Sequence, residues 1–206
     1  MVTELARLYS EAFAPEYFVL LCTIALVGHE WRRRRFGPAG LAGRALAVVA
    51  GWAVAFAIYE STGAVFESVP SWGEDFTGSV GLGVGILLIG IVWRLREWGR
   101  HVPRFAALLL GVTVVHVAIT PFWDVSSHVA YAVAPAGYLV SADRRFWPLL
   151  AVAIGMVAAR PLAGAHTWLQ SIGGFALAAA FIAGLSYRVG RTGGAAAPDR
   201  ATADRE

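Results

Sequence analysis

Four stretches of the sequence run without a single Asp, Glu, Lys or Arg for long enough to cross a bilayer: residues 76–93, 105–123, 125–142 and 161–187. At 1.5 Å per helical residue, about 18 residues approach the roughly 30 Å thickness of a hydrocarbon core. Three shorter apolar runs, 17–29, 45–59 and 146–159, need help from their flanks: Arg44, Arg144 and Arg145 can snorkel from the ends of two of them, while 17–29, flanked by Glu16, has an interfacial helix as its alternative. A chain of 206 residues that is 57% hydrophobic and 15% charged could not cover so much apolar surface as a soluble monomer. The expected fold is therefore all-α, a polytopic membrane helix bundle of seven helices occupying residues 1–190. The remainder, 191–206, has too little apolar content to order itself and reads as a disordered tail.

All 17 basic residues are arginine. Seven spans put successive loops on alternate sides, and the segments 30–44, 94–104, 143–145 and 188 onward then hold 15 of the 17 arginines on one side. The other side has only Arg7 and Arg160, with Glu60, Glu67, Glu74 and Asp75. The positive-inside rule predicts an outer N-terminus and a cytoplasmic tail in a cell membrane. Trp72, Trp123 and Trp168 fall at the outer boundary and Trp31, Trp93, Trp98 and Trp147 at the inner one, as interfacial indoles should. The first apolar run follows Glu4, Glu11 and Glu16 and precedes Arg32 to Arg35, the reverse of a signal peptide's charge order, and is read as a retained helix.

The same composition excludes several functions. Arginines beside apolar runs are topology signals and lipid headgroup contacts, so no nucleic-acid partner is expected. His29 and His101 belong with these headgroup contacts. Lone Cys22 removes any disulfide or cysteine-rich metal site. A retinal Schiff base needs a lysine amine, and the chain has none. No cofactor and no metal is expected, since His116, His128, His166 and Asp124 lack a recognised zinc spacing.

Two turns on the predicted outer side gather polar groups. In Pro121-Phe122-Trp123-Asp124-Val125-Ser126-Ser127-His128, the serines sit where a helix starts, so hydroxyls and free amides face an anion together. In Arg160-Pro161-Leu162-Ala163-Gly164-Ala165-His166-Thr167-Trp168-Leu169-Gln170, an arginine ends one helix and a histidine precedes the next. A guanidinium offers phosphate oxygens a rigid fork of donors. His116, below the end of the helix before Pro121, is a further candidate phosphate-facing group, weighed against a neutral histidine bonded to a neighbouring helix.

These residues resemble the type 2 phosphatidic acid phosphatases, membrane lipid phosphatases related to vanadium haloperoxidases. Ser126-Ser127-His128 looks like the second family motif, Pro-Ser-Gly-His, and Arg160-x5-His166 looks like the third, Ser-Arg-x5-His-x3-Asp. The 32-residue separation of His128 and Arg160 is similar to the family's, and the motif resemblance covers about residues 110–187. It implies a six-helix core over about 41–187 plus one extra N-terminal helix. It also implies a hydrolase acting on a lipid phosphate monoester or diphosphate at the outer leaflet through a phosphohistidine. His166 would be the nucleophile, His128 the general acid, and Arg160, Ser126 and Ser127 the holders of the phosphoryl oxygens. The sequence departs from the pattern at Thr113 and Thr120, where the first motif has lysine and arginine. It departs also at Val125, Ser127 and Ala159, and at Gln170, where the family has an aspartate that orients the nucleophile. The alternative expectation is a family-like protein that binds or moves a phospholipid without efficient turnover.

Overall fold

The computed structural model describes residues 1–66 and 68–194. Its helices are α1 (Val2–Ala12), α2 (Pro15–Arg34), α3 (Pro38–Glu60), the single turn α4 (Thr62–Val65), α5 (Gly73–Leu95), α6 (His101–Ile119), α7 (Ser127–Ala142), α8 (Trp147–Leu162, entered through a 3-10 turn at Arg144–Phe146) and α9 (Trp168–Gly194). No strand occurs among the described residues. The chain is an all-α, multi-span membrane bundle. Five of its helices are long and apolar enough to cross a membrane: α3, α5, α6, α8 with its 3-10 turn, and α9. The pair α1 and α2, bent by 50° between them, makes a sixth when taken together.

Helix ends follow local chemistry. Pro15 and Pro38 open α2 and α3, where a missing N–H costs nothing. Arg32, Arg33 and Arg34 in the last turn of α2, and Glu74 and Asp75 in the first turn of α5, complement the helix dipoles. The result is a bundle with an arginine-rich end and an acidic end. α3 and α5 lie very close: a Cβ on Gly85 would stand 2.5 Å from the carbonyl oxygen of Gly51, and one on Gly81 the same distance from that of Ala55. Small residues let these two backbones meet, as in other membrane helix pairs.

Three sequence expectations change. The run 125–142 forms α7, but at 16 residues it is short for a span. It packs against α2, α6, α8 and α9, and Val129 to Leu139 are all buried, so protein rather than lipid is its solvent. The last span starts later than its charge-free run 161–187: α8 continues through Pro161 to Leu162, Gly164 turns the chain at φ 74°, and α9 starts at Trp168. At the other end α9 extends to Gly194, so the first residues expected in the tail are helical, while 195–206 lie outside the described residues. α1 was not foreseen. Its charges Glu4, Arg7 and Glu11 pair with one another along one face, and Tyr9 Oη on another donates to the Val152 carbonyl of α8 at 2.7 Å.

Candidate functional site

The two polar turns meet at the acidic end, where the starts of α5, α7 and α9 converge with the ends of α6 and α8. Backbone contact fixes the meeting: Ser126 N–H donates to the Gln170 carbonyl at 3.2 Å. The glycine pair in α9 makes this possible. A Cβ on Gly174 would stand 2.6 Å from the Ser126 carbonyl oxygen, and one on Gly173 2.7 Å from the Trp123 ring. α9 therefore seats directly under the turn that carries Asp124 and Ser126.

Arg160, at the end of α8, reaches across the 163–167 turn to His166. Its Nε and Nη2 lie 3.4 and 3.3 Å from His166 Nδ1. A guanidinium only donates, so Nδ1 accepts and the imidazole proton belongs on Nε2. That nitrogen is buried without a hydrogen bond, 3.8 Å from Asp124 Oδ2. The His166 side chain is only 3% exposed. Burial, reinforced by the Arg160 charge, pulls the His166 imidazole down to about 4, so it is neutral at ordinary pH. The Asp124 carboxyl is pushed up, chiefly by burial and then by the neighbouring Asp75 carboxylate.

Asp75 is the residue that sequence reasoning missed. From the first turn of α5 it accepts a hydrogen bond from Ser127 Oγ at 2.7 Å, and the same hydroxyl lies 3.4 Å from His128 Nδ1. Asp75, Asp124 and His166 present ligand atoms all within 4.8 Å of one another. Asp75 thus stands between the His128 and the Arg160–His166 halves of the site. A signal existed: Asp75 and Ser79, four apart, form a polar stripe on an otherwise apolar helix.

Ser126 Oγ, Ser171 Oγ and Asp124 Oδ1 are also buried without partners. Buried polar atoms are rarely left so, and the Asp124 and His166 side chains, 3.8 Å apart, mark a position that a polar ligand or water completes. The carboxylate, carboxylate and imidazole trio has the donor types for a divalent cation. Two features oppose that occupant. The Arg160 charge stands against it, and the bond to Nδ1 leaves the proton on the nitrogen a cation would need. An oxyanion has the opposite effect, since it offers the guanidinium a better acceptor and draws it off the ring.

Gln170 does not face His166. Its Oε1 accepts from Thr167 N–H at 2.7 Å and from Thr167 Oγ1 at 3.1 Å, while its own N–H donates to Thr167 Oγ1 at 3.2 Å. This is a capping box at the start of α9. The carboxylate beside His166 is Asp124, from another turn. His116 does not face a phosphate either. It is fully buried, with Nε2–H donating to the Val125 carbonyl at 2.9 Å and Nδ1 lying 3.1 Å from Ser79 Oγ and 3.3 Å from Thr120 Oγ1. It pins the 120–126 turn to α5 and α6. Thr113 is hydrogen-bonded to Tyr131 Oη at 2.8 Å, so neither threonine of the degenerate first motif replaces its cation.

A cavity of about 200 Å³ opens beside the site between α2, α3, α5 and α7, and Asp75, Ser127 and His128 form part of its wall. No family model matches the chain, and neither a curated protein nor a solved structure is similar to it. What the site does is argued from its own atoms.

Proposed function

We propose that the protein is a multi-pass membrane phosphatase of the type 2 phosphatidic acid phosphatase kind, removing phosphate from a lipid phosphate through a phosphohistidine on His166. The observation that carries this reading is the pairing of the Arg160 guanidinium with His166 Nδ1, while His166 Nε2 and the Ser126 hydroxyl are both buried without hydrogen bonds. A phosphate entering here takes the Arg160 fork onto its oxygens. The ring proton can then move to Nδ1, which leaves a lone pair on Nε2. In the first step the Nε2–P bond forms and the P–O ester bond breaks, with His128 giving a proton to the leaving alkoxide. In the second, water attacks phosphorus, His128 takes its proton, the N–P bond breaks and inorganic phosphate leaves. Arg160, Ser126 Oγ and the free amides at the start of α7 bear the charge of both transition states.

The distribution of arginines supports an orientation with the acidic end outside and the C-terminal segment in the cytoplasm. In that reading α7 and α2 complete a set of seven spans, six of them forming the catalytic core. The test is phosphate release from lipid monophosphates and diphosphates in detergent or nanodiscs, comparing wild type with His166→Ala and Arg160→Ala. Release that His166→Ala abolishes and Arg160→Ala sharply reduces supports a phosphatase. Release unaffected by His166→Ala contradicts it.

A second reading, a lipid phosphate binder without turnover, is favoured by one observation: Asp75 and Asp124 bring two carboxylates to a site whose nearby cation is Arg160. Binding of lipid phosphate with no release from any substrate would select it.

A further inference from the structure

The cavity beside His128 has a chemistry that a phosphate does not explain. Glu16, Glu74 and Asp75 contribute three carboxylates to its wall. The rings of Trp52, Phe56, Tyr59 and Tyr131 contribute much of the rest. In a chain with 17 arginines, none lines it. Among the described residues no arginine or histidine forms an ion pair with Glu16, Glu74 or Asp75. Trp52 is held in place by its Nε1–H, which donates to the Glu16 carbonyl at 3.3 Å, and Tyr131 by Thr113.

Carboxylates gathered among aromatic faces, in a cleft that no arginine lines, give that volume a negative potential. The ligand that gains from both features is an organic cation, which is attracted by charge and by the ring quadrupoles together. Inorganic cations hold water too firmly to benefit from ring faces, and an anion is repelled. The size agrees: about 200 Å³ has room for an ammonium head group.

We propose that this cavity binds an ammonium group, and that the phosphorylated lipid the site accepts is a phosphate ester of an amino alcohol. The second half rests on the phosphatase reading and the first does not. His128 links the halves. It lies on the cavity wall and is the group that protonates the leaving oxygen, so the departing alcohol extends into the carboxylate-lined space with its nitrogen among Glu74, Asp75 and the rings. The aliphatic chain leaves between the helices into lipid. The otherwise unhelpful carboxylate Asp75 then neutralises the substrate's cation while Arg160 holds its anion.

The first experiment is calorimetric titration of the purified protein with choline and with its neutral isostere 3,3-dimethylbutan-1-ol, which has the same shape without the charge. Choline should bind at least about tenfold more tightly. Glu74→Gln and, separately, Phe56→Leu should weaken choline while His166→Ala leaves its binding unchanged. Equal affinity for the two probes, or binding of neither, overturns the proposal without recourse to any variant. The second experiment compares hydrolysis of long-chain phosphate monoesters with and without an amine near the ester. Preference for the amine-bearing ester, reduced by Glu74→Gln, supports the substrate assignment. Choline binding with no hydrolysis of either ester removes the phosphatase reading and retains the cavity. Equal hydrolysis with no choline binding removes the cavity and retains the phosphatase.

Discussion

Two arginines are drawn in from opposite ends of the bundle, and they keep different company. At the arginine-rich end Arg44, only 5% exposed, lies with its guanidinium carbon 3.8 Å from the Phe36 ring centre and 4.6 Å from that of Trp98. It donates to the carbonyls of Gly40 at 2.9 Å and Trp98 at 3.4 Å. Nearby, Glu30 accepts from Trp93 Nε1 at 3.1 Å, and Gly99, at φ 141°, gives its carboxylate the space a Cβ would fill. Here the charge is wrapped in aromatic rings and backbone oxygens and serves packing. At the acidic end Arg160 has no carbonyl or carboxylate partner among the described residues and rests against a neutral imidazole. A guanidinium beside a weak acceptor is poised for a stronger one. The same residue type is thus structural where aromatic rings and backbone oxygens enclose it, although Arg44 Nε stays unbonded, and available for a ligand where no oxygen meets its donors.

The contrast breaks most sharply if both are cut back. Arg160→Ala should lower turnover by about 10²–10³-fold, the cost of removing one transition-state donor group, with little change in thermal stability. Arg44→Ala should do the reverse, losing about 2 kcal/mol of stability with its stacked, desolvated cation while the surviving folded protein turns over normally. Phosphate-release kinetics and thermal unfolding, run on both variants, read the two effects. If Arg160→Ala destabilises and Arg44→Ala inactivates, the assignments are inverted.

Histidines sharpen the same comparison. His116→Ala leaves the Ser79 hydroxyl and the Val125 carbonyl buried without their partner and should cost about 2–4 kcal/mol in unfolding free energy. His166→Ala removes a ring whose Nε2 has no hydrogen bond, and should cost much less stability while abolishing turnover. Similar losses of stability for the two would mean that His166 is also structural. His166 adds a pH signature. Its folded value is lowered to about 4, so as pH falls from the ordinary imidazole value of 6.5 the unfolded chain takes the proton first. Its contribution to stability is therefore complete above that range and declines between 6.5 and about 4, and this part of the acid destabilisation should vanish in His166→Ala.

Asp124 gives a smaller and opposite effect. Its carboxyl is raised by burial and by Asp75, so on acidification it loses its charge before an ordinary carboxylate does, and the site becomes less hostile to phosphate. Inhibition by inorganic phosphate should strengthen as pH falls below neutrality while His166 remains unprotonated. Asp124→Asn should show the stronger inhibition already at pH 7 and lose that slope. An unchanged slope would remove Asp124 from the electrostatics of the site. The smallest effect belongs to Gln170. Gln170→Asp shortens the capping side chain, costs about 1 kcal/mol of stability, and brings no gain in turnover because the residue points to Thr167 rather than to His166.

Much of this architecture was legible in the residues because bilayer length and charge placement are local properties. The apolar runs mark α2, α3, α5, α6 and α8, and the arginines mark one end of the bundle. α7 was legible as a helix but not as the buried centre, since its run 125–142 is no more apolar than its lipid-facing neighbours. That the turn of Ser126 could meet the turn of Arg160 and His166 was legible from two polar turns at the same end, and the Ser126 N–H to Gln170 carbonyl bond joins them. Gln170 was misread because three-residue spacing from Thr167 signals a helix cap as well as a motif remnant, and only the Oε1 distances separate the two. Asp75 escaped because its partners, Ser127 and His128, are more than fifty residues away along the chain. The cavity escaped for the same reason, its wall being assembled from four helices.

The central claim is that His166 Nε2 forms a covalent bond to phosphorus, and the most direct measurement is trapping. Wild-type protein turning over a phosphate-labelled lipid monoester and quenched in alkali should retain label that is stable to base and labile to acid, located on His166 by peptide mapping and absent from His166→Ala. Phosphate release from the wild type with no label retained on the protein, under quench conditions that preserve an authentic phosphohistidine standard, would contradict it.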